Sequence, residues 1–364
     1  MKILFSVNHP ADVHQFKNTI WELQDQNHDI LICAREKEVT IDLLKRLDFP
    51  YTVVSSVGSS RIHLVREQVQ RIIKFFGAIR EFKPDLSVSA MDPSLAFASR
   101  LTGTPYVCFA DTEHARASIV GALPFTDAVL TPSCFEKDIG PKQIRYPGYH
   151  ELAYLHPDRF TPNHAVLDKI GLHTDEPFII VRFVSWQASH DVGQRGIQDK
   201  VELVKKLEEY GRVLITSEGA LPSELEEYRI RVSPEKLHDL LYYAALYIGE
   251  GATTATEAAL LGTPSIYVSS LAGTMGNLTE LENTYDLLYS FTDPDAILVK
   301  AVEILRSPAS KEAWSKKRER LLKEKIDVTA FMVWFIENYP ESCISMKGHP
   351  ENQPWLILPS GDHQ

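Results

Sequence analysis

Apolar positions along this chain follow two alternating rhythms. Short unbroken runs, Lys2–Val7 (KILFSV), Asp29–Ala34, Tyr51–Val54, Leu86–Ala90, Tyr106–Ala110 and Ala128–Thr131, predict strands buried on both faces, as parallel sheets require. Between them, apolar residues fall three and four apart, as at Val13, Phe16, Ile20 and Leu23. That spacing predicts helices over Val13–Gln26, Val39–Leu47, His63–Phe82 and Ser94–Leu101. The alternation fades over Tyr149–Pro177, which holds Pro157, Pro162 and Pro177, and a domain linker is expected there.

It restarts with strands at Phe178–Val184, Arg212–Thr216, Leu246–Ile248 and Ser265–Val268, and a further strand is expected at Tyr228–Val232. Helices are predicted at Gln198–Tyr210, Ser233–Tyr243, Thr253–Leu261, Pro294–Leu305, Lys311–Lys325 and Val328–Asn338. Ser233 is the expected N-cap of its helix, with Pro234 at the first helical position. Strands alternating with helices imply βαβ units, hence an α/β chain with two parallel sheets. The expected domains are residues 1–150 and 176–326, followed by the helix at 328–340. Residues 344–364 are polar, with Pro350, Pro354 and Pro359, and predict a loosely ordered tail. Ligands of such sheets bind beyond the carboxyl ends of the strands, and between two such domains the natural site is a cleft.

The stretch with the most chemistry is Gly249–Pro264, GEGATTATEAALLGTP. A strand runs into Gly249-Glu250-Gly251-Ala252-Thr253-Thr254, and a helix follows. Small residues let a ligand approach the backbone, and the free amides at a helix start suit a phosphate. Glu257 lies one turn on, where a carboxylate can accept ribose hydroxyls. The same residues would also serve a βαβ turn whose small side chains only allow tight packing.

Other polar groups follow strand ends. The loop Asn8–His14 lacks the glycines of a dinucleotide fingerprint. Asp12 or His14 there could act as a base, and Asp12 also sits where a helix cap belongs. Asp92 could serve catalysis or cap the next helix. Asp111, Glu113 and His114 put three ionisable groups within four residues, an arrangement suited to orienting sugar hydroxyls or moving a proton. In the second half, Arg182 or Ser185 could contact phosphate, and His190 with Asp191 reads either as a working pair or as a surface turn.

Composition narrows the choice. The chain has 364 residues, 44% hydrophobic and 24% charged, with a formal net charge of −11. That balance argues against a sequence-independent nucleic-acid binder. Cys33, Cys108, Cys134 and Cys343 form no close pair, so neither a disulfide framework nor a zinc site is expected. The first residues lack a signal-peptide pattern, and no run approaches the ~18 apolar residues of a membrane span. A cytoplasmic protein is the expectation. Helix 63–83 carries Arg66, Arg71, Lys74, Arg80 and Lys83 beside Phe75 and Phe76. It reads as a core helix with a solvated basic face, or as a weak contact with anionic lipid.

Gly249–Pro264 resembles the glycine-rich segment of GT-B enzymes, both UDP-N-acetylglucosamine 2-epimerases and the glucosaminyltransferase that makes lipid II. Those carry a Ser-Gly-Gly or Ser-Gly-Ala turn, a Glu six residues after its first Gly, then Ala-x-x-x-Gly-x-Pro. Gly251, Ala252, Glu257, Ala258, Gly262 and Pro264 match, whereas Glu250 stands at the serine position. Over roughly residues 1–340, segments such as HPADVHQFKN, FADTEHA, YPGYHELAYLHPDRF, RFVSWQASHDVGQRGI and KIDVTAFMVWFIENYP resemble the GT-B-like family catalogued as domain of unknown function 354.

The resemblance implies a GT-B architecture, two Rossmann-like domains facing across a cleft, with the last helix returning to the first domain. It implies that Gly251, Ala252, Thr253 and Thr254 hold a diphosphate, Glu257 the ribose, and the backbone of Arg231 and Val232 the base. The implied function is glycosyl transfer from an NDP-sugar, UDP-linked, to an unidentified acceptor in surface polysaccharide or glycoconjugate synthesis, without metal or cofactor. Epimerisation or hydrolysis of the same NDP-sugar is the alternative, and nucleotide-sugar binding without catalysis the second.

Overall fold

The computed structural model describes residues 1–56, 61–173, 176–184, 197, 199–217, 219–230, 232–307 and 310–348. The chain divides into two compact units, Phe160–Glu324 on the one hand and Met1–Arg159 with the residues from Lys325 onward on the other. The break at residues 159–160 lies inside the proline-containing stretch 149–177.

The first unit is built on strands β1 (Lys2–Val7), β2 (Asp29–Glu36), β3 (Tyr51–Ser56), β4 (Leu86–Ser89), β5 (Tyr106–Phe109), β6 (Ala128–Pro132) and β7 (Gln143–Tyr146). They form one sheet in the order β3-β2-β1-β4-β5-β6-β7, and every pairing is parallel. Strands β4, β5 and β6 are buried along their whole length, which is why they read as unbroken apolar runs. The sheet grows one way from β1 to β2 and the other way from β1 to β4. The carboxyl ends of β1 and β4 therefore flank the switch point, where such sheets receive ligands.

Helix Pro10–Asp25 begins earlier than its apolar spacing suggests. Pro10 takes the first helical position and His9 is the cap, its Nδ1 accepting from the Ala11 amide at 3.2 Å. Asp12, the expected cap, lies instead in the first turn, and its carboxylate accepts from the Asn8 amide at 2.7 Å. The helix Val328–Glu337 belongs to this first unit. Its cap Asp327 is held by Arg159 at 2.7 Å, and Thr329 donates to the Ala153 carbonyl at 2.6 Å. The buried rings of Phe331 and Phe335 each stand 6.5 Å from Phe109, edge to face. Burying each such ring contributes about 1.5–3 kcal/mol.

The second unit carries β8 (Phe178–Phe183), β9 (Arg212–Ser217), β10 (Leu246–Gly249), β11 (Ser265–Val268) and β12 (Leu288–Phe291), in the order β12-β11-β10-β8-β9. All pairings are again parallel, and the switch point lies between β8 and β10.

Several expectations are corrected. Among the described residues, Tyr228–Val232 forms no strand. A 3-10 helix, Ser223–Tyr228, leads into a single bridge from Arg229 to Ile215. Ser233 caps only a 3-10 turn, and its hydroxyl donates to the Glu235 carboxylate at 2.6 Å rather than accepting from an amide. Strands β7 and β12 escape the apolar pattern because each has four residues and is only partly buried. The short helices Arg116–Ala122 and Gly276–Asn283 lack a side-chain cap as a signal. Among the described residues no helix is long and apolar enough to cross a membrane.

Candidate functional site

In the second unit, the glycine-rich turn stands at the switch point. Helix Ala252–Leu260 starts there with Gly251 as N-cap, and no side chain caps it. The first amides of a helix have no intrahelical partner, so this end offers donors and positive potential to an anion. Thr254 is buried and Thr253 exposed. The Arg182 side chain runs alongside: a Cβ added at Gly251 would sit 3.4 Å from its Nε. Gly249 is required for a different reason. The Tyr247 hydroxyl lies 2.1 Å from where a Gly249 Cβ would be, so the phenol passes over bare backbone. Burial pushes the Tyr247 phenol well above its usual range. Arg182 pulls it down, and Glu257 and Glu250 push it further up.

Glu250, which replaces the serine of the related turns, does not project as a competitor for anions. It is buried, and its two carboxylate oxygens accept from the amides of Val184 and Ile197, each at 2.8 Å. It thus joins the end of β10 to the backbone following β8. Glu257 is also buried and lies 2.9 Å from Nε2 of His238. Nothing in the apolar pattern singles out His238, which sits 19 residues upstream on another helix. Val232 lies just before the 3-10 turn Pro234–Lys236. Ser185, His190, Asp191 and Arg231 fall outside the described residues.

The first unit gathers a second polar cluster at its switch point. Asp92 is 1% exposed and anchors it. Its Oδ1 accepts from the Ser94 and Leu95 amides, capping helix Pro93–Thr102. Its Oδ2 accepts from Ser6 Oγ at 2.8 Å, Asn8 Nδ2 at 3.2 Å and the Arg71 guanidinium at 2.5 Å. Five protein donors fill the roughly four lone-pair sites of a carboxylate, so Asp92 has a structural task. Arg71 is correspondingly buried and does not belong to the outer basic face of its helix. Glu67, one turn earlier, also points inward and holds Arg35 through two bonds of 2.7 and 2.9 Å.

The remaining groups are better placed to act. Burial raises the Asp12 carboxyl above its usual 3.8. His9 and the Asn8 amide oppose the shift, and Asp111 and Asp92 add to it. Asp111 has a side chain 32% exposed and accepts from Thr112 Oγ1 at 2.8 Å. Glu113 is buried, and its carboxylate accepts from the Glu136 amide at 3.3 Å. His14 is buried in the first helix with its ring 5.4 Å from that of Tyr154. His150, which follows β7, joins the group unannounced. Its Nδ1 is 3.5 Å from Asp111 and its ring lies parallel to Tyr146.

Burial lowers His150 below its ordinary value of 6.5, more than Asp111 raises it. The folded protein therefore holds it neutral where the unfolded chain would already charge it. Its contribution to stability is complete above pH 6.5 and is lost as the pH falls through the lowered value. In urea unfolding at pH about 7.5 and about 5.5, wild type is expected to lose more stability between the two than His150→Asn. Equal losses would show that His150 does not titrate this way.

One set of ligand-type atoms lies within 4.8 Å among the described residues, from His156, Asp158 and Asp327. Within it, Asp327 accepts from Arg159 and from the Thr329 and Ala330 amides.

Similarities to known proteins match this architecture. The curated protein "Uncharacterized protein MJ0665" of Methanocaldococcus jannaschii is 22% identical over 288 residues, covering 75% of this chain and 84% of its own. The spinosyn forosaminyltransferase SpnP superposes with a TM-score of 0.64 at 13% identity, covering 93% of this chain and all of its own. UDP-GlcNAc 2-epimerase from Neisseria meningitidis, solved bound to UDP-GlcNAc, gives 0.63 at 13% identity, covering 95% of this chain and 100% of that one. The fold is GT-B, and the model of the family described as "Protein of unknown function (DUF354)" matches residues 1–339, so the chain belongs to that family.

Proposed function

We propose that this protein binds a nucleoside diphosphate-sugar, UDP-linked, and transfers its glycosyl group to an acceptor hydroxyl. The observation that carries the reading is the uncapped helix start at Gly251, set beside Arg182 at the switch point of the second sheet. The diphosphate would lie on the amides of Gly251–Thr254, Glu257 would take the ribose, and the backbone at Arg231 and Val232 the base. Charge developing on the leaving diphosphate would be stabilised by fixed amides and the Arg182 guanidinium. Proton removal falls to the first unit. Asp12, whose carboxyl is raised by burial, is the leading base, with Asp111, Glu113 and His14 as further candidates. The likeness to a forosaminyltransferase and to an epimerase bound to UDP-GlcNAc supports the ligand class. Val69 and Ile73, 53% and 64% exposed, lie with Arg66 and Lys74 on the outer face of helix Arg61–Phe82. They support a peripheral contact with an anionic membrane surface at which a lipid-linked acceptor would be met.

A second reading, epimerisation or hydrolysis of the same NDP-sugar, is favoured by the nearness of Asp111 to Asp12, since such chemistry needs carboxylates to move a sugar proton. Incubation of pure protein with UDP-N-acetylglucosamine separates the two. The transfer reading expects no sugar isomer, and UDP release that depends on an added acceptor. A 2-epimer or stoichiometric hydrolysis without acceptor would refute it. Binding without turnover under any acceptor would leave a nucleotide-sugar-binding protein.

A further inference from the structure

We propose that His238 is a positioning residue for nucleoside recognition. It holds Glu257 in place, so that the preference for a nucleotide with an intact ribose diol depends on the imidazole as much as on the carboxylate. The inference rests on the reading of the glycine-rich turn as a nucleotide site.

Both side chains are nearly inaccessible, His238 at 4% and Glu257 at 5%. Their Nε2–Oε1 separation is 2.9 Å. A carboxylate removed from water needs a partner, and its rotamer follows that partner. The partner here is itself fixed. His238 lies at the start of helix Leu237–Tyr243, and its ring meets Phe160 edge-on at 6.3 Å. The next residue, Asp239, accepts from the Asn163 amide at 2.9 Å. Leu241 accepts from Thr263 Oγ1 at 2.6 Å, just past the end of the helix that carries Glu257. Helix Leu237–Tyr243 is thus tied at both ends, and His238 transmits that fixity to Glu257. The ribose diol is the group that Glu257 would meet. The diphosphate, by contrast, meets backbone amides and Arg182. Diol and phosphate recognition should therefore separate on mutation.

The test is titration calorimetry of the full chain with UDP, its 2′,3′-dideoxy analogue and inorganic pyrophosphate, in wild type, His238→Phe and His238→Gln. Wild type should bind UDP about 10–100-fold more tightly than the dideoxy analogue, the range for hydrogen bonds to a charged group. In His238→Phe the ratio should fall to within about threefold while pyrophosphate binding stays unchanged, which also reports an intact turn. His238→Gln keeps a donor and should restore most of the ratio. If His238→Phe does not fold, His238→Leu takes its place with the same fall expected, and an undiminished ratio there would overturn the proposal equally. An undiminished ratio in His238→Phe would overturn the proposal and leave the nucleotide reading standing. Equal wild-type affinity for UDP and its dideoxy analogue would remove Glu257 from the ribose, and with it this proposal. No binding of UDP by wild type would overturn the nucleotide reading itself.

Discussion

Replacing Asp92 by alanine is expected to destabilise the protein by about 3–5 kcal/mol, the cost of leaving a buried charge without its partner. The carboxylate holds the buried Arg71 guanidinium, Ser6 and Asn8, and caps helix Pro93–Thr102. Loss of the cap alone costs about 1 kcal/mol; the larger part comes from Arg71, which would keep its bond to the Asn8 side-chain carbonyl but lose its carboxylate. Urea unfolding followed by far-UV circular dichroism checks the figure. The double variant Asp92→Ala with Arg71→Met should recover part of the loss, because both charges are then gone. A single-variant loss below about 1 kcal/mol would mean that Asp92 is not the anchor of this cluster and would return it to the set of candidate catalytic acids.

Valine at Gly251 is expected to leave the fold intact and to weaken UDP binding at least about tenfold, because its side chain would fill the space into which phosphate must come. The backbone there has φ −94°, which valine adopts readily, and the added Cβ meets nothing closer than 3.4 Å. Stability should change by less than about 1 kcal/mol, within the range of cap substitutions. Gly249→Ala should behave in the opposite way. Its Cβ would lie 2.1 Å from the Tyr247 hydroxyl and 3.1 Å from the Arg182 Cβ, so it should cost about 1–3 kcal/mol by overpacking. Thermal melts of both variants, with and without UDP, separate a glycine kept for packing from one kept for a ligand. If Gly251→Val melts early, or binds UDP as well as wild type, the turn is a packing feature.

The architecture was legible because strands buried on both faces write themselves as apolar runs. Leu86–Ser89 and Tyr106–Phe109 could hardly be read otherwise. What was not legible came from pairings that carry no periodic signal. Strand β7 has four residues, two of them polar. His9 displaced Asp12 as a cap because proline at position 10 sets the helix start by backbone geometry rather than by side-chain type. The site divides in the same way. The glycine-rich turn follows from small residues after a strand, and the departure at Glu250 was visible as a letter. That Glu250 is bound by the amides of Val184 and Ile197, residues 66 and 53 positions away, was not. His150 and His238 meet their carboxylates only through the fold. Asp92 was open between cap and catalyst in the sequence, and Arg71 supplies the reason it serves as a cap and anchor.

Thermal unfolding of the full chain against rising UDP reports directly on whether the second unit's glycine-rich turn holds a nucleoside diphosphate. The transition should move steadily upward, reaching about 2.7 kcal/mol of stabilisation when free UDP is 100 times its Kd, and Gly251→Val should remove the effect. A transition indifferent to UDP, ADP, GDP and dTDP alike would contradict the nucleotide reading.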